Sequence, residues 1–236
     1  MLSIVIPAYN EASGISKTLD SILAQQYAEK FEVIVVDNNS TDTTAAIAKS
    51  YADRLDLKVL HEPQAGRGAA RAAGFAAANG SIICSTDADT IVPSDWLIKI
   101  TEPLSGPGIV AVAGTSKITE GTPLQNAIFN WLQPTLGHLF ELLHGYIWLT
   151  GCNAAVRKDA YIKTGGFNRD LNALEDADMG RRLSNIGRIR HITYVPVTSS
   201  ARRFKGGFVK GLLHYVKPYL HMYLLKKDRI HLHDVR

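Results

Sequence analysis

The sequence predicts an α/β fold with a mostly parallel central sheet and helices on both faces. Short runs rich in Ile and Val, at residues 2–7, 31–37, 57–62 and 81–87, have the composition of buried strands. Each of the first three is followed by a stretch with helical spacing or high Ala content. A strand that alternates with a helix in this way is typical of parallel sheets.

Turn signals set the limits of the first helices. Ser13 is predicted to cap a helix in which Ile15, Leu19 and Ile22 share one face. The Ala-rich helix that follows the third strand is predicted to end at Gly80.

The second half of the chain is less regular, and no linker divides it from the first. We expect one domain over residues 1–205 and an amphipathic helical extension of the same domain over residues 206–236. The elements predicted there are a strand at 109–114, a helical stretch at 124–149 interrupted near Pro134, a strand, short helix and Gly turn within 151–168, a helix at 174–187, and a strand that starts at Arg188.

Composition is that of an ordinary globular protein. Of 236 residues, 46% are hydrophobic and 20% charged, and the net charge of +4 suits anionic ligands or an anionic membrane surface. Cys84 and Cys152 have no zinc-like spacing. Without a signal-like N-terminus or an apolar run of 18 residues, we expect a cytoplasmic protein, and leave open a peripheral position on the inner face of the cell membrane.

Two aspartates, Asp87 and Asp89, follow the fourth predicted strand. Residues i and i+2 of a strand face the same side, so the two carboxylates repel each other. Mg²⁺ or Mn²⁺ would relieve this repulsion and take its remaining ligands from substrate phosphates. The alternative is a loop in which both aspartates are hydrated or cap the next segment.

Polar residues also end the other predicted strands. Asp37 and Asn38 offer an acceptor and an amide suited to a base or to ribose hydroxyls. The alternative is an Asx turn with Ser40 or Asp42 as the helix cap, and both can hold together. Since the carboxyl ends of parallel strands meet at one edge, Asp37 should converge with Pro7 and Asp87.

The segment GRGAARAAG supplies two cations one helical turn apart, Arg67 and Arg71, beside Gly66 and Gly68. A flexible turn into an Ala-rich helix is the alternative. The segment has neither the GxGxxG fingerprint nor the Walker pattern, which disfavours nicotinamide or flavin Rossmann enzymes and P-loop NTPases.

Six segments, in order IVIPAYNE, VVDNNSTDTT, GRGAARAAG, TDADT, GCNAAVRKDAYIKTGGFN and LEDADMGRRL, resemble the family 2 inverting glycosyltransferases. The resemblance covers residues 1 to about 205. It implies a Rossmann-like GT-A fold, a UDP- or GDP-linked sugar donor, a Mg²⁺ or Mn²⁺ ion and a hydroxyl acceptor, with no nucleic acid partner.

The resemblance also implies roles for individual residues. The implied donor contacts are Pro7, Ala8, Tyr9, Glu11, Asp37, Asn38, Arg67, Arg71, Asp87 and Ala88. Asp89, with Asp87, would hold the metal, and Asp176 would be the base. The implied acceptor or sugar contacts are Trp148, Gly151, Asn153 and Glu175. The alternatives are a core Trp at 148 and, for the acidic cluster, a helix first turn stabilised by the dipole.

Two departures from the family pattern matter. Many relatives have Asp where this chain has Asn38, which leaves the base open. The QxxRW signature of processive synthases is missing, and TSSARRF stands in its place. Arg202 and Arg203 are predicted to reach the diphosphate, with surface solubility as the alternative.

The last stretch, at residues 206–229, is amphipathic and basic. Lys210, His214, Lys217 and His221 share one helical face opposite Leu and Tyr side chains. We predict peripheral membrane contact there, which fits a lipid-linked or cell-envelope glycan as acceptor. Helices packed on the core, or a dimer contact, are the alternatives.

Two other functions stay open at this point. One is a sugar-phosphate nucleotidyltransferase, which also uses an α/β sheet and a metal carboxylate pair. The other is a noncatalytic module that binds sugar nucleotides. Asp176 discriminates among them, because only glycosyl transfer requires this residue as a base.

Overall fold

The computed structural model describes residues 1–202, which fold into a large central sheet, a small sheet and surrounding helices. The strands, numbered in chain order, are β1 Leu2–Ala8, β2 Phe31–Asp37, β3 Leu57–His61, β4 Ile82–Ser85, β5 Thr90–Ile91, β6 Ile109–Ala113, β7 Ser116–Lys117, β8 Ala154–Arg157, β9 Arg188–His191 and β10 Val197–Ser199. The helices are α1 Ile15–Leu23, α2 Thr44–Lys49, α3 Arg67–Ala77, α4 Trp96–Thr101, α5 Pro123–His144, α6 Lys158–Lys163 and α7 Glu175–Ser184, with a 3₁₀ turn at Glu102–Ser105.

The central sheet has the order β3-β2-β1-β4-β8-β6-β9, and the small sheet the order β5-β10-β7. Strands β3, β2, β1 and β4 are parallel, whereas β8 runs antiparallel to both its neighbours. Ala8 pairs with Asp37, so β1 and β2 end side by side. The predicted α/β fold with a mostly parallel sheet is confirmed.

Hydrophobic packing covers both faces of the central sheet. On one face Ile4 and Val33 pack with Trp96. On the other, Val5 and Ile34 belong to a cluster that includes Phe75 and Tyr161. Burial on both faces explains why these strands are nearly continuous hydrophobic runs.

Three local predictions are wrong. Ser13 is exposed and makes no cap, because Gly14 is the N-cap of α1 and the carbonyl of Glu11 accepts the first N–H groups. Helix α3 ends at Ala77, where the next residue is already extended, rather than at Gly80. Helix α5 continues through Pro134. The proline removes one backbone hydrogen bond, but the other hydrogen bonds of this 22-residue helix and the capping box at its start maintain the helix.

Helix α5 is the longest in this part of the chain, and most of its surface faces solvent. Phe140 is its buried residue. Within residues 1–202, the structure contains no helix with the length and apolar character that membrane crossing requires. The predicted extension at 206–236 lies outside the described residues.

Candidate active site

The loop after β1 is held against the loop after β2. The N–H of Asn10 donates to Ser40 Oγ at 3.0 Å, and the N–H of Glu11 donates to Thr44 Oγ1 at 2.7 Å. In return, Asn10 Oδ1 accepts from the N–H of Thr41 at 2.8 Å. The Ser/Thr-rich segment therefore fixes the first loop. Pro7, near the end of β1, and Tyr9, on the loop, are partly exposed at this edge of the sheet.

Asn38 holds the loop that precedes α3. Its Nδ2 donates to the carbonyls of Glu62 at 2.9 Å and Gln64 at 2.7 Å, and its Oδ1 accepts from the N–H of Gly66 at 2.8 Å. The side chain is 7% exposed. Its amide therefore holds the backbone of this loop, and its contact with the base or ribose of a donor stays a prediction.

Asp37 and Arg67 lie on either side of that loop. Asp37 Oδ1 accepts from the Ser40 N–H at 3.3 Å, and Oδ2 lies 3.7 Å from His61 Nδ1. Arg67 is partly exposed at the start of α3, and its N–H donates to Asn172 Oδ1 at 3.2 Å. Both residues remain in place for the predicted nucleoside contacts.

Arg71 lies inside the site with only 3% of its surface exposed. Its guanidinium donates to Asp87 at 2.7 Å, to Glu175 at 3.1 Å, to Ser85 Oγ at 2.6 Å and to the carbonyl of Gly151 at 3.0 Å. Burial alone would lower the pKa of Arg71, but the carboxylates of Asp87 and Glu175 raise it, so the residue stays charged. Arg71 and Glu175 thus pair with each other inside the protein, and the donor contact predicted for Arg71 and the acceptor contact predicted for Glu175 stay predictions.

Asp176, at the start of α7, accepts hydrogen bonds, and within residues 1–202 no cationic nitrogen lies within ion-pair distance of its carboxylate. Its Oδ2 accepts from the N–H of Gly151 at 3.1 Å, its Oδ1 accepts from the N–H of Ala177 at 2.9 Å, and the Trp148 side chain donates a further hydrogen bond. Burial, and next the charge of Glu175, raise the pKa of Asp176 to about 6. A carboxyl group with such a pKa is suited to accept a proton near neutral pH.

Asp89 is paired with an arginine in the same way as Asp87. Arg202 Nη2 lies 2.8 Å from Asp89 Oδ2 and 2.6 Å from Glu11 Oε2. The Asp89 side chain is 27% exposed, and it borders a cavity of about 190 Å³ that is also lined by Lys17 and Ser199. Arg202 thus brings a cation to the predicted metal carboxylate.

Several predicted contact residues are buried. Asn153 is fully buried, with Oδ1 accepting from Trp96 Nε1 at 2.8 Å and Nδ2 donating to two backbone carbonyls. Ala8 and Ala88 are also buried, at 3% and 1% exposure. The ligand contacts predicted for Asn153, Ala8 and Ala88 stay predictions. Arg203 lies outside the described residues.

Ser85 and Asn172 contribute to the site but do not stand out in the sequence. Ser85 ends a hydrophobic strand and contacts Arg71, and Asn172 holds the start of α3 from a distant loop. No local pattern distinguishes either residue, because each acts on a partner that only the fold brings near.

The predicted metal site has carboxylate ligands from two residues, Asp87 and Asp89. In residues 1–202 no group of three or more His, Cys, Asp or Glu side chains is arranged to hold an ion alone. Mg²⁺ is usually bound through one or two carboxylates together with waters and substrate phosphates. The pair therefore fits an ion that is completed by a phosphorylated ligand.

The chain is similar to known glycosyltransferases. It is 38% identical to glycosyltransferase AglE of Haloferax volcanii over 121 residues, which are 50% of this chain and 40% of that protein. It superposes with a TM-score of 0.69 on a Pyrobaculum calidifontis mannosyltransferase solved with GDP-Man and Mn²⁺, at 24% identity over 92% of this chain and 64% of that one. For S. aureus TarS 1-349 with UDP-GlcNAc the TM-score is 0.68, at 19% identity over 97% and 68%.

These likenesses agree with the GT-A fold, and the chain spans about half of the length of the curated relatives it matches. The family model described as glycosyl transferase family 2 matches residues 3–165. This match takes in the first three strands with their loops, the aspartates at 87 and 89, and the glycine at 151. The chain therefore belongs to glycosyl transferase family 2.

Proposed function

We propose that this chain transfers a sugar from a nucleoside diphosphate sugar to a hydroxyl group of an acceptor, with inversion at the anomeric carbon. Asp176 is the general base. Asp87 and Asp89 face the diphosphate. The nucleoside is held at the ends of β1 and β2 and the start of α3, by Pro7, Tyr9, Asp37 and Arg67. Family membership and the arrangement of these residues support this proposal.

The observation that carries the proposal is the environment of Asp176. A sugar hydroxyl has a high pKa, so its attack requires a base in the transition state. Asp176 has a pKa raised to about 6, and its two oxygens are oriented by the N–H groups of Gly151 and Ala177. A carboxylate retains further lone pairs after accepting these bonds, so it can also take the proton of the attacking hydroxyl. Displacement assisted by one base inverts the anomeric configuration.

Metal dependence is part of the proposal. Asp89, with Asp87, would hold Mg²⁺ or Mn²⁺, and the ion would stabilise the charge of the departing diphosphate. Arg202 occupies Asp89 in this structure, so the guanidinium has to move off the carboxylate when an ion binds there. Its length and planar fork suit it to contact phosphate oxygens afterwards.

The acceptor is proposed to be a glycan or a lipid-linked sugar. Trp148 packs beside Asp176, near Phe140 at 5.2 Å between ring centroids, and offers an aromatic face to a sugar. The base of the donor stays open. One similar protein was solved with GDP-Man and another with UDP-GlcNAc.

We also propose that the protein contacts a membrane peripherally. Helix α5 exposes a stripe formed by Leu124, Ile128, Trp131, Leu139 and Leu142, which are spaced to share one face. Residues 203–236 contain eight Lys and Arg against two Asp. An apolar helix face combined with a basic segment suits an anionic bilayer surface.

Thermal shift tests the donor site. The native chain and Asp89→Ala are melted with UDP, GDP, CDP and dTDP, each with and without Mn²⁺. A ligand at a hundredfold excess over its dissociation constant raises stability by about 2.7 kcal/mol. We expect a metal-dependent shift with one nucleotide that the variant loses. No shift with any diphosphate would contradict the proposal.

The same assay is extended to the alternatives. A shift with a nucleoside triphosphate and a sugar phosphate, followed by pyrophosphate release, would favour a nucleotidyltransferase. Binding of a sugar nucleotide without turnover, unaffected by Asp176→Asn, would favour a noncatalytic module. The anomeric configuration of any product, read from its proton coupling constant by NMR, tests inversion.

A further inference from the structure

We propose that Arg71 is a positioning residue that fixes the metal-facing carboxylate Asp87 and the base Asp176 relative to each other. This inference rests on the proposed function for the roles of the two aspartates. The contacts that carry it are geometric, and they join strand β4, helix α3 and helix α7 through one buried guanidinium.

Arg71 fixes Asp87 through direct hydrogen bonds at the end of β4. Arg71 Nη2 donates to Asp87 Oδ1 at 2.7 Å, and Nη1 donates to Ser85 Oγ at 2.6 Å, two residues earlier on the same strand end. The Asp87 side chain is 33% exposed, whereas that of Arg71 is 4% exposed. Asp87 is therefore fixed from within the protein although a third of its side chain is exposed.

The guanidinium is also connected to Asp176, through the two backbone polar groups of Gly151. Arg71 Nη1 donates to the Gly151 carbonyl at 3.0 Å, and the Gly151 N–H donates to Asp176 Oδ2 at 3.1 Å. A Cβ at position 151 would lie 2.5 Å from Arg71 Nη2. Glycine is thus required for the guanidinium to approach the backbone that orients the base.

Glu175 explains how a charged arginine is tolerated inside the protein. Its Oε1 accepts from Arg71 Nε at 3.1 Å, and both side chains are 4% exposed. Removing one partner of a buried ion pair leaves the other charge uncompensated, which is strongly destabilising. Glu175 therefore holds Arg71 from the residue next to Asp176, so the pair also fixes the first turn of α7.

A guanidinium is suited to this task, and an ammonium is not. Arg71 uses three nitrogens in different directions to reach four acceptors. Lysine carries its charge at one point and cannot span Asp87, Glu175 and Gly151 together. The variant Arg71→Lys therefore keeps the positive charge at this position but loses the contacts that position Asp87, Glu175 and Gly151.

The experiment compares Arg71→Lys and Arg71→Met with a matched control, Arg157→Lys. Arg157 ends β8, and its guanidinium donates to the carbonyls of Ile109 and Leu104, away from the site. Melting curves establish that each variant is folded. The readouts are kcat and donor KM, and the titration of the Asp176 carboxyl carbon by NMR, which needs no activity.

We expect kcat of Arg71→Lys to fall by about tenfold to a hundredfold, since misplacement of about 1 Å can have an effect of that size. In Arg71→Met the Asp176 titration should move upward by about one pH unit, because a nearby positive charge is lost. Arg157→Lys should lower the melting temperature and leave kcat and the titration unchanged. If Arg71→Met does not fold, Arg71→Lys carries the test.

Native kcat in Arg71→Lys would overturn the inference, as would a change confined to donor KM. An Asp176 titration in Arg71→Met equal to that of the native chain would also overturn it. If the native chain transfers no sugar, the proposed function fails. The NMR titration then still decides whether Arg71 acts on Asp176.

Discussion

Neighbouring acids on α7 acquire different roles from their surroundings. Glu175 is buried against the guanidinium of Arg71, whereas Asp176 accepts hydrogen bonds from neutral groups at Gly151, Ala177 and Trp148. Burial and the Glu175 charge then favour the protonated form of Asp176. The proposed choice of Asp176 as base follows from this difference, which the acidic composition of the helix start does not reveal.

Ionisation of the single residue Asp176 should reduce the free energy of unfolding. Its folded-state pKa, raised to about 6 from an ordinary 3.8, means that the native protein binds this proton more tightly than the unfolded chain. Stability from this group is therefore present at low pH and lost as pH rises through 6. We expect Asp176→Asn to be more stable than the native chain by about 1–3 kcal/mol at pH 8, measured by urea denaturation.

The stability gain of Asp176→Asn should shrink to about a third near pH 4.5 and disappear below pH 3.8, where the carboxyl is protonated in both the native and the unfolded chain. Asp170→Asn is the control, since Asp170 is an exposed loop residue. An equal effect of Asp176→Asn at pH 8 and pH 4.5 would contradict the raised pKa.

Arg202 should compete with a metal ion for Asp89. The pair is partly exposed, so it contributes up to about 1 kcal/mol, and its removal should tighten Mn²⁺ binding by about threefold to fivefold. We predict this for Arg202→Ala in titration calorimetry without nucleotide. Arg169→Ala, which removes the ion pair between the exposed Arg169 side chain and the buried Glu62, should not change the affinity. Weaker Mn²⁺ binding in Arg202→Ala would contradict the competition.

At the scale of elements, two helical glycines should respond oppositely to a methyl group. A Cβ at Gly68 of α3 would meet the backbone carbonyls of Asn168 and Leu171, which cannot move like a flexible side chain. Gly68→Ala should destabilise the protein by about 1–3 kcal/mol or more. At Gly137 of α5 the nearest atom would be 3.6 Å away, in His191, so Gly137→Ala should stabilise by about 0.5–1 kcal/mol.

Urea denaturation of both glycine variants provides the check. The expected loss for Gly68→Ala rests on close packing of the start of α3 against the backbone of the loop before α7. A neutral effect of Gly68→Ala would show that this packing can relax, and would contradict the account.

Helix α5 should bind anionic membranes through its apolar stripe. Trp131 and Leu142 are 70% and 81% exposed, and their insertion into the interface removes apolar surface from water. We expect the double variant Trp131→Ser, Leu142→Ser to sediment with phosphatidylglycerol vesicles at least about tenfold less than the native chain. The control is Ile162→Ser on α6, which is 62% exposed elsewhere. Equal loss in both variants, or none in either, would contradict the role of α5.

At the scale of the whole molecule, the sequence predicts the strands and the edge at which they end. The Ile- and Val-rich runs indicate strands that are buried on both faces of the sheet. Because these strands are parallel, Pro7, Asp37 and Asp87 lie at the same edge. The partners of the polar side chains could not be predicted in the same way. Arg71 contacts Glu175, which is 104 residues away along the chain. The local motif GRGAAR therefore indicates a cation beside a loop but does not indicate that Arg71 is buried.

Sugar transfer with Asp176 as the base is best tested in an assay with labelled UDP- and GDP-linked sugars. The native chain and Asp176→Asn are each incubated with these donors, Mn²⁺ and a lipid and glycan extract, and the transfer of label to the extract is measured. The account predicts transfer and release of nucleoside diphosphate by the native chain, with a rate that falls as pH drops through about 6. The variant should bind the donor with native affinity and transfer sugar at least about a hundredfold more slowly. Transfer by Asp176→Asn at the native rate would contradict the account.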